Sequence, residues 1–302
     1  MHALHDYIVA PFVEFAFMQR ALVGALMLSA SACPVGVFLM LRRMSLMGDA
    51  MAHAILPGAA VGFLFYGLQI VPMTLGGLGA GVVVALGAGA VSRLTIQKED
   101  ASMAAFYLIS LALGVTIVSL RGSNIDLMHV LFGTVLALND EALVLIGAIA
   151  AITLAALVVF WRALVAECLD PLFLRSVSRL GPPVHFVFLA LVVLNLVGGF
   201  QALGTLLSVG LMMLPAAAAR FWASRVEPMC LLAALFGAAS CICGLLLSYH
   251  ASLPSGPAII LSAGAIYLLS IIAGTRGVLA TRVRHISHRT ACQKEQNECP
   301  GC

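Results

Sequence analysis

Charge is what this chain has least of: Asp, Glu, Lys and Arg make up 10% of its 302 residues, and lysine occurs only at Lys98 and Lys294. Soluble globular domains carry about 25% charged residues. With 62% hydrophobic residues and a mean hydropathy of +1.08, the chain is therefore read as an integral membrane protein. The shortage of lysine excludes a Walker A loop, which needs Gly-Lys-Ser/Thr, because both lysines follow glutamine. If ATP drives this protein, it must bind another subunit. HExxH is absent, and no second histidine or glutamate stands at metallopeptidase spacing from His53. Neither that motif nor a nucleophile–base pair supports a membrane enzyme.

Other absences narrow the class further. The eight cysteines make no disulfide framework: Cys33, Cys230, Cys241 and Cys243 fall within or beside apolar spans, and the rest sit where reduced thiols are expected. The N-terminal MHALHDYIVAPFVEFAFMQR has no basic region before a short apolar core, so no cleavable signal peptide is expected. No fixed-period repeat or low-complexity linker divides the chain. The net charge of +3 gives no nucleic-acid partner, since the basic residues lie in turns between apolar runs, where they set topology.

What is present is a series of apolar runs of about 20 residues, the length that spans a ~30 Å hydrocarbon core. They predict an all-α fold, a polytopic transmembrane helical bundle of about nine spans: 17–41, 46–66, 72–93, 103–120, 142–161, 184–200, 203–222, 229–249 and 255–274. With the N-terminus outside, fourteen basic residues fall on the cytoplasmic side and only Arg20 and Arg121 outside, which also makes the C-terminus cytoplasmic. Two domains follow, a transmembrane domain over 1–284 and a His/Cys-containing cytoplasmic tail over 285–302. The glycine-rich run LGGLGAGVVVALGAGAV (75–91) reads as close helix packing.

Against this background RRMSLMGDAMAHAILPG (42–58) stands out. Asp49 is the only carboxylate in the expected spans and His53 the only histidine away from a span end. Four residues apart on a helix, they share one face at about 6 Å, so a carboxylate and an imidazole can converge on one ion. An ionisable group at membrane depth costs a few kcal/mol and usually marks a pathway. The alternative is that Asp49 pairs with Arg42 or Arg43 at the cytoplasmic mouth. Pro57 lacks an amide proton and so frees the carbonyl of His53, which either adds a ligand or finds a neighbouring hydroxyl. One copy supplies too few ligands; two copies about a twofold axis would give two Asp and two His.

Two interruptions and the tail complete the reading. NIDLMHVLFGTVLALND (124–140) is too short and broken to cross and suits an external or re-entrant helix. RALVAECLDPLFLRSVSRLGPPV (162–184) suits either a short helix on the membrane surface or an ordinary loop. The tail RHISHRTACQKEQNECPGC contains His-x2-His and Cys-x2-Cys, so His285, His288, Cys292, Cys299 and Cys302 form either a zinc site or a disordered polar end.

Five blocks, namely 42–58, SNIDLMHVLFGTVLAL (123–138), LDPLFLRSVSRLG (169–181), QALGTLLSVGLMMLPAAAARF (201–221) and LPSGPAIILSAGAIYLLSI (253–271), resemble in order and spacing the membrane permeases of zinc/manganese/iron ATP-binding-cassette importers. The resemblance covers roughly 12–275. It implies a fold similar to that of the vitamin-B12-type importers and a homodimer of permeases in a bacterial cytoplasmic membrane. The implied partners are a cytoplasmic ABC ATPase, which binds the ATP, and an extracytoplasmic metal-binding protein. No cofactor is expected to be bound permanently; Zn2+ or Mn2+ is the transported substrate, zinc slightly ahead because of the tail's soft ligands. By resemblance, Asp49 and His53 handle the metal, Asp170, Phe173, Leu174 and Gly181 belong to the segment that couples to the ATPase, and Asn124, Asp126 and His129 belong to an external gate. The competing class is a stand-alone ion-coupled carrier with Asp49 as its proton site.

Overall fold

In hydrocarbon no water is available to bond the backbone, so apolar runs of this length close their hydrogen bonds internally as helices. The computed structural model describes residues 10–44, 47–67, 69–96, 99–120, 138–169 and 181–277, and among them there is no strand. Eleven helices are described: α1 Ala10–Glu14, α2 Ala16–Leu41, α3 Met47–Ala54, α4 Leu56–Tyr66, α5 Ile70–Leu94, α6 Glu99–Leu120, α7 Asp140–Leu169, α8 Gly181–Leu203, α9 Thr205–Ala219, α10 Val226–Ala251 and α11 Ser255–Ala273. Seven spans are long and apolar enough to cross a membrane, with α3 and α4 together making one. Apolar stretches in α6 (Ala101–Ile117) and α9 (Thr205–Ala219) are shorter. Each of the nine expected spans thus has its helix.

Several boundaries shift by a few residues, and the two that flank residues 170–180 have a clear cause. Helix α7 runs to Leu169, eight residues beyond the expected end at 161, because nothing breaks the helix before Pro171. Helix α8 begins at Gly181, with Pro182 and Pro183 in its first turn, where a missing amide proton costs nothing. At the other end of α7, the Asn139 side chain caps the helix by accepting from the Ala142 amide at 2.9 Å.

Polar contacts mark the two ends of the bundle. Arg20 pairs with Asp140 at 3.1 Å, joining the starts of α2 and α7. Arg42, 22 residues further on and so roughly 33 Å along the helix, meets Glu167 and His185 at the opposite end. The end of α11 is fastened to the turn after α9 by the Arg276 amide and the Thr275 hydroxyl, which both donate to the Phe221 carbonyl at 3.0 and 3.1 Å.

Between these ends, small residues bring backbones together. Lipid is as apolar as leucine, so helix association depends on close van der Waals contact. Gly58 of α4 and Gly76 of α5 face each other so closely that a Cβ on either would strike the other's carbonyl oxygen. Gly36 meets the Met212 carbonyl in the same way, seating α2 on α9. Gly204, at φ 91°, lets α8 turn directly into α9, and Gly199 then lies against Ser208 across the hairpin. Large apolar side chains such as Val158, Val159, Leu261, Leu268 and Leu269 point outward, the arrangement that suits a hydrocarbon surround.

The glycine contacts give a direct test. Gly58→Val should force α4 from α5 and destabilise the protein by more than ~3 kcal/mol, beyond ordinary overpacking. Gly79→Ala, where the added methyl meets nothing within 4 Å, should be neutral. Thermal melting of the purified variants in detergent would compare them, and equal melting temperatures would refute the close approach.

Candidate functional site

The site is built by a chain reversal. After Arg42, the Met44 amide donates to the Leu39 carbonyl and the Met47 amide to the Met44 carbonyl, both at 3.0 Å, while Arg43 takes a left-handed φ of 60°. Helix α3 consequently turns back into the bundle. Gly48 packs against the side chains of Met212 and Met213, and Met212 lies seven residues, or roughly 10 Å, inside the Ala219 end of α9. The acid and the histidine are therefore set beside α9, His53 half-buried and Asp49 exposed on the single chain.

Asp49 and His53 share one face of α3, with Oδ1 and Nε2 3.8 Å apart. That separation exceeds a hydrogen bond and leaves both groups open toward a third atom. They line a cavity of about 360 Å³ together with Ala52, Thr205, Leu206, Val209 and Gly210. Its α9 wall lies nine to fourteen residues from Ala219, roughly 14–21 Å along the helix axis. His53 Nδ1 is buried with no hydrogen-bond partner among the described residues, and the imidazole lies 6.3 Å from the Tyr107 ring, centroid to centroid. The two groups offer one oxygen and one nitrogen ligand type. No group of three or more His, Cys, Asp or Glu side chains that could hold a metal ion occurs among the described residues.

The pairing of Asp49 with Arg42 does not form. Arg42 is occupied by His185, Glu167 and Cys168, and its guanidinium carbon sits 4.3 Å from the centre of the Phe188 ring. Pro57 does interrupt the helix: α3 ends at Ala54 and α4 restarts at Leu56. A hydroxyl from another helix serves the break, since Ser110 of α6 donates to the Ala54 carbonyl at 2.9 Å.

Of the other expected site residues, Asn124, Asp126, His129, Asp170, Phe173, Leu174, His285, His288, Cys292, Cys299 and Cys302 lie outside the described residues, and Gly181 opens α8. Sequence reasoning passed over Glu167. It ended the fifth span at 161, whereas apolar Ala163, Leu164, Val165 and Cys168 continue the helical run and bury Glu167. That unbroken run up to Pro171 was the signal available.

A helical membrane bundle with an acid–imidazole pair facing a cavity at membrane depth is the architecture of a transport permease. The chain belongs to the ABC 3 transport family, whose model matches residues 14–274. It is 31% identical over 275 residues, 91% of this chain and 97% of the relative, to the manganese transport system membrane protein MntC of Listeria monocytogenes. It is 32% identical over 257 residues, 85% of this chain and 91% of the relative, to the manganese import system permease protein ScaB of Streptococcus gordonii. Among solved structures it is similar to PsaBC from Streptococcus pneumoniae in complex with Fab, with a TM-score of 0.79, 30% identity, and 90% and 97% of the two chains covered.

The Ser110 contact should hold the break between α3 and α4. Ser110→Ala leaves a buried carbonyl unpaired and should cost about 1–3 kcal/mol, read as a lowered melting temperature. Ser110→Thr, which keeps the hydroxyl, should recover most of it.

Proposed function

We propose that this permease imports a divalent transition metal, manganese first and zinc second, as a homodimer driven by a separate cytoplasmic ABC ATPase and supplied by an extracytoplasmic metal-binding protein. One observation carries the reading. Asp49, 71% exposed in the single chain, and His53, 29% exposed, form an incomplete oxygen–nitrogen ligand set at membrane depth. A carboxylate cannot economically face lipid. A second copy bringing its own Asp49 and His53 against the first would cover the open face and double the ligands to two carboxylates and two imidazoles, a set that accepts Mn2+ and Zn2+.

The order of metals changes from the sequence expectation. Zinc was favoured there by the tail's thiols, whereas the donors in the cavity are harder and two relatives carry manganese in their names. The excess of basic residues on one side supports a bacterial cytoplasmic membrane location with the N-terminus outside. Residues 170–180, with Gly181, are proposed to meet the ATPase, and Asn124, Asp126 and His129 to belong to an external gate. The tail beyond 284 is proposed as a separate metal-responsive end. Membership of an ABC transport family leaves the stand-alone ion-coupled carrier without support.

Asp49→Asn and His53→Ala should each lower Mn2+ uptake by at least about tenfold in vesicles holding the permease with its ATPase, as expected for losing a metal-handling group. Assembly with the ATPase should be unchanged. Uptake at the wild-type rate by both variants would sink the reading, and competition between Mn2+ and Zn2+ in the same vesicles fixes their order. Deleting 285–302 should leave maximal uptake intact while altering shut-off at high internal zinc. Uptake by vesicles preloaded with zinc reads that difference, and unchanged shut-off would return the tail to a polar end without a role.

A further inference from the structure

The buried polar cluster at the end of the bundle opposite Arg20 has no part in the metal cavity. Arg42, the residue after α2, donates from Nη1 to His185 Nδ1 at 3.0 Å and from Nε to Cys168 Sγ at 3.5 Å. Glu167 Oε1 stands 3.8 Å from Arg42 Nη2 and 3.8 Å from His185 Nδ1. The side chains of Arg42 and Glu167 are only 8% and 6% exposed. Phe188 closes one side by lying under the guanidinium.

Two features separate this cluster from a structural ion pair. The first is incomplete closure: a charge-assisted contact between guanidinium and carboxylate settles at about 2.7–2.9 Å, commonly with two parallel bonds. Here Arg42 Nη2 and Glu167 Oε2 are both buried without a hydrogen-bond partner among the described residues. Well-packed apolar side chains would hold three helices together at least as well, so stability does not account for it. Each partner thus keeps one bonding group unused among the described residues, and the 3.8 Å between Arg42 Nη2 and Glu167 Oε1 leaves room for a second, tighter arrangement.

The second feature is position. Glu167 lies three residues before position 170 and His185 four residues after Gly181, so the cluster clasps both ends of the chain that joins α7 to α8. Arg42 lies seven residues before Asp49 and is tied to α3 through the hydrogen-bonded reversal at Met44 and Met47. The helix ends that flank 170–180 thus carry Glu167 and His185 to Arg42, and Arg42 is joined through the reversal to the root of the helix that carries Asp49 and His53.

We infer that Arg42, Glu167 and His185 are positioning residues that transmit motion of the segment between α7 and α8 to the metal-handling helix α3, by passing between the loose arrangement seen here and a closed ion pair. The inference rests on the reading of 170–180 as the ATPase-facing segment. A packed cluster with two discrete arrangements is the kind of element that can carry such coupling.

The test uses the full permease with its ATPase in vesicles and counts Mn2+ transported per ATP hydrolysed. Glu167→Gln removes the charge, and the paired Arg42→Met with Glu167→Leu replaces the ion pair with apolar packing. The paired variant should keep the melting temperature, whereas Glu167→Gln, which leaves the buried Arg42 charge without its counter-ion, should melt lower. In the assembled fraction of both, the bound ATPase and ATP hydrolysis should be kept while Mn2+ per ATP falls by about tenfold or more, within the usual range of coupling between sites. Glu167→Asp should recover part of the ratio. A merely structural cluster would lower the melting temperature and leave the ratio of the assembled fraction at the wild-type value, which overturns the inference. Where the paired variant does not assemble, Glu167→Gln decides by the same ratio. Phe173→Ala with Leu174→Ala serves as the reference. If that variant uncouples transport and the cluster variants do not, the cluster inference alone fails. If it changes neither the ratio nor ATPase retention, the reading of 170–180 fails, and with it the route assigned to the cluster.

Discussion

Everything in this bundle follows from one constraint: inside hydrocarbon a polar group has only the protein to bond with. Ser208, Ser240, Ser262 and Ser270 return their hydroxyls to carbonyls four residues earlier in their own helices. Others bond across helices, as Ser29 does to the Ala234 carbonyl and Asn195 to Thr153. The buried thiols obey the same rule, with Cys33 donating to the Leu211 carbonyl and Cys241 to the Ala25 carbonyl. Because the rule is so widely kept, the charged and imidazole groups that break it are informative. Among the described residues, besides one atom each on Ser102 and Asn195, the buried side-chain atoms without partners belong to His53, Arg42 and Glu167.

Close glycine contacts make the placement of those groups possible. Gly48 admits the tips of Met212 and Met213, and Gly36 admits the Met212 backbone. Bulkier residues at either position would push α3 or α2 away from α9. The cavity wall made by Thr205, Leu206, Val209 and Gly210 would then no longer face Asp49 and His53. The helix break at Ile55 and the Ser110 bond to the Ala54 carbonyl hold the other end of α3 against α6. The Asp49–His53 pair, on a helix of only eight residues, is thus positioned by its neighbours and hardly by that helix's own length.

The two open polar groupings are connected by the shortest route available, the reversal between α2 and α3. One grouping faces a cavity and can exchange ligands. The other is sealed and can only rearrange. The reversal lets a movement at the membrane end of α2 reach a carboxylate at membrane depth with few intervening bonds.

The sequence alone determined the helical membrane class, the nine apolar stretches and the pairing of Asp49 with His53 on one helical face. All of these depend on composition, run length or a four-residue spacing, which are local properties. Tertiary structure decided where those groups sit. Nothing local shows that the chain after Arg42 turns back so that Gly48 rests beside Met212, or that Arg42 is already taken by Glu167 and His185 and is unavailable to Asp49. Partners 125 and 143 positions away cannot be read from spacing. The burial of Glu167 was hidden for a related reason: Arg162 and Glu167 look like the edge of a span in sequence, and only the contacts with Arg42 and His185 show Glu167 to be buried inside the bundle. Burial of a charge is a property of its neighbours, and the neighbours come from distant parts of the chain.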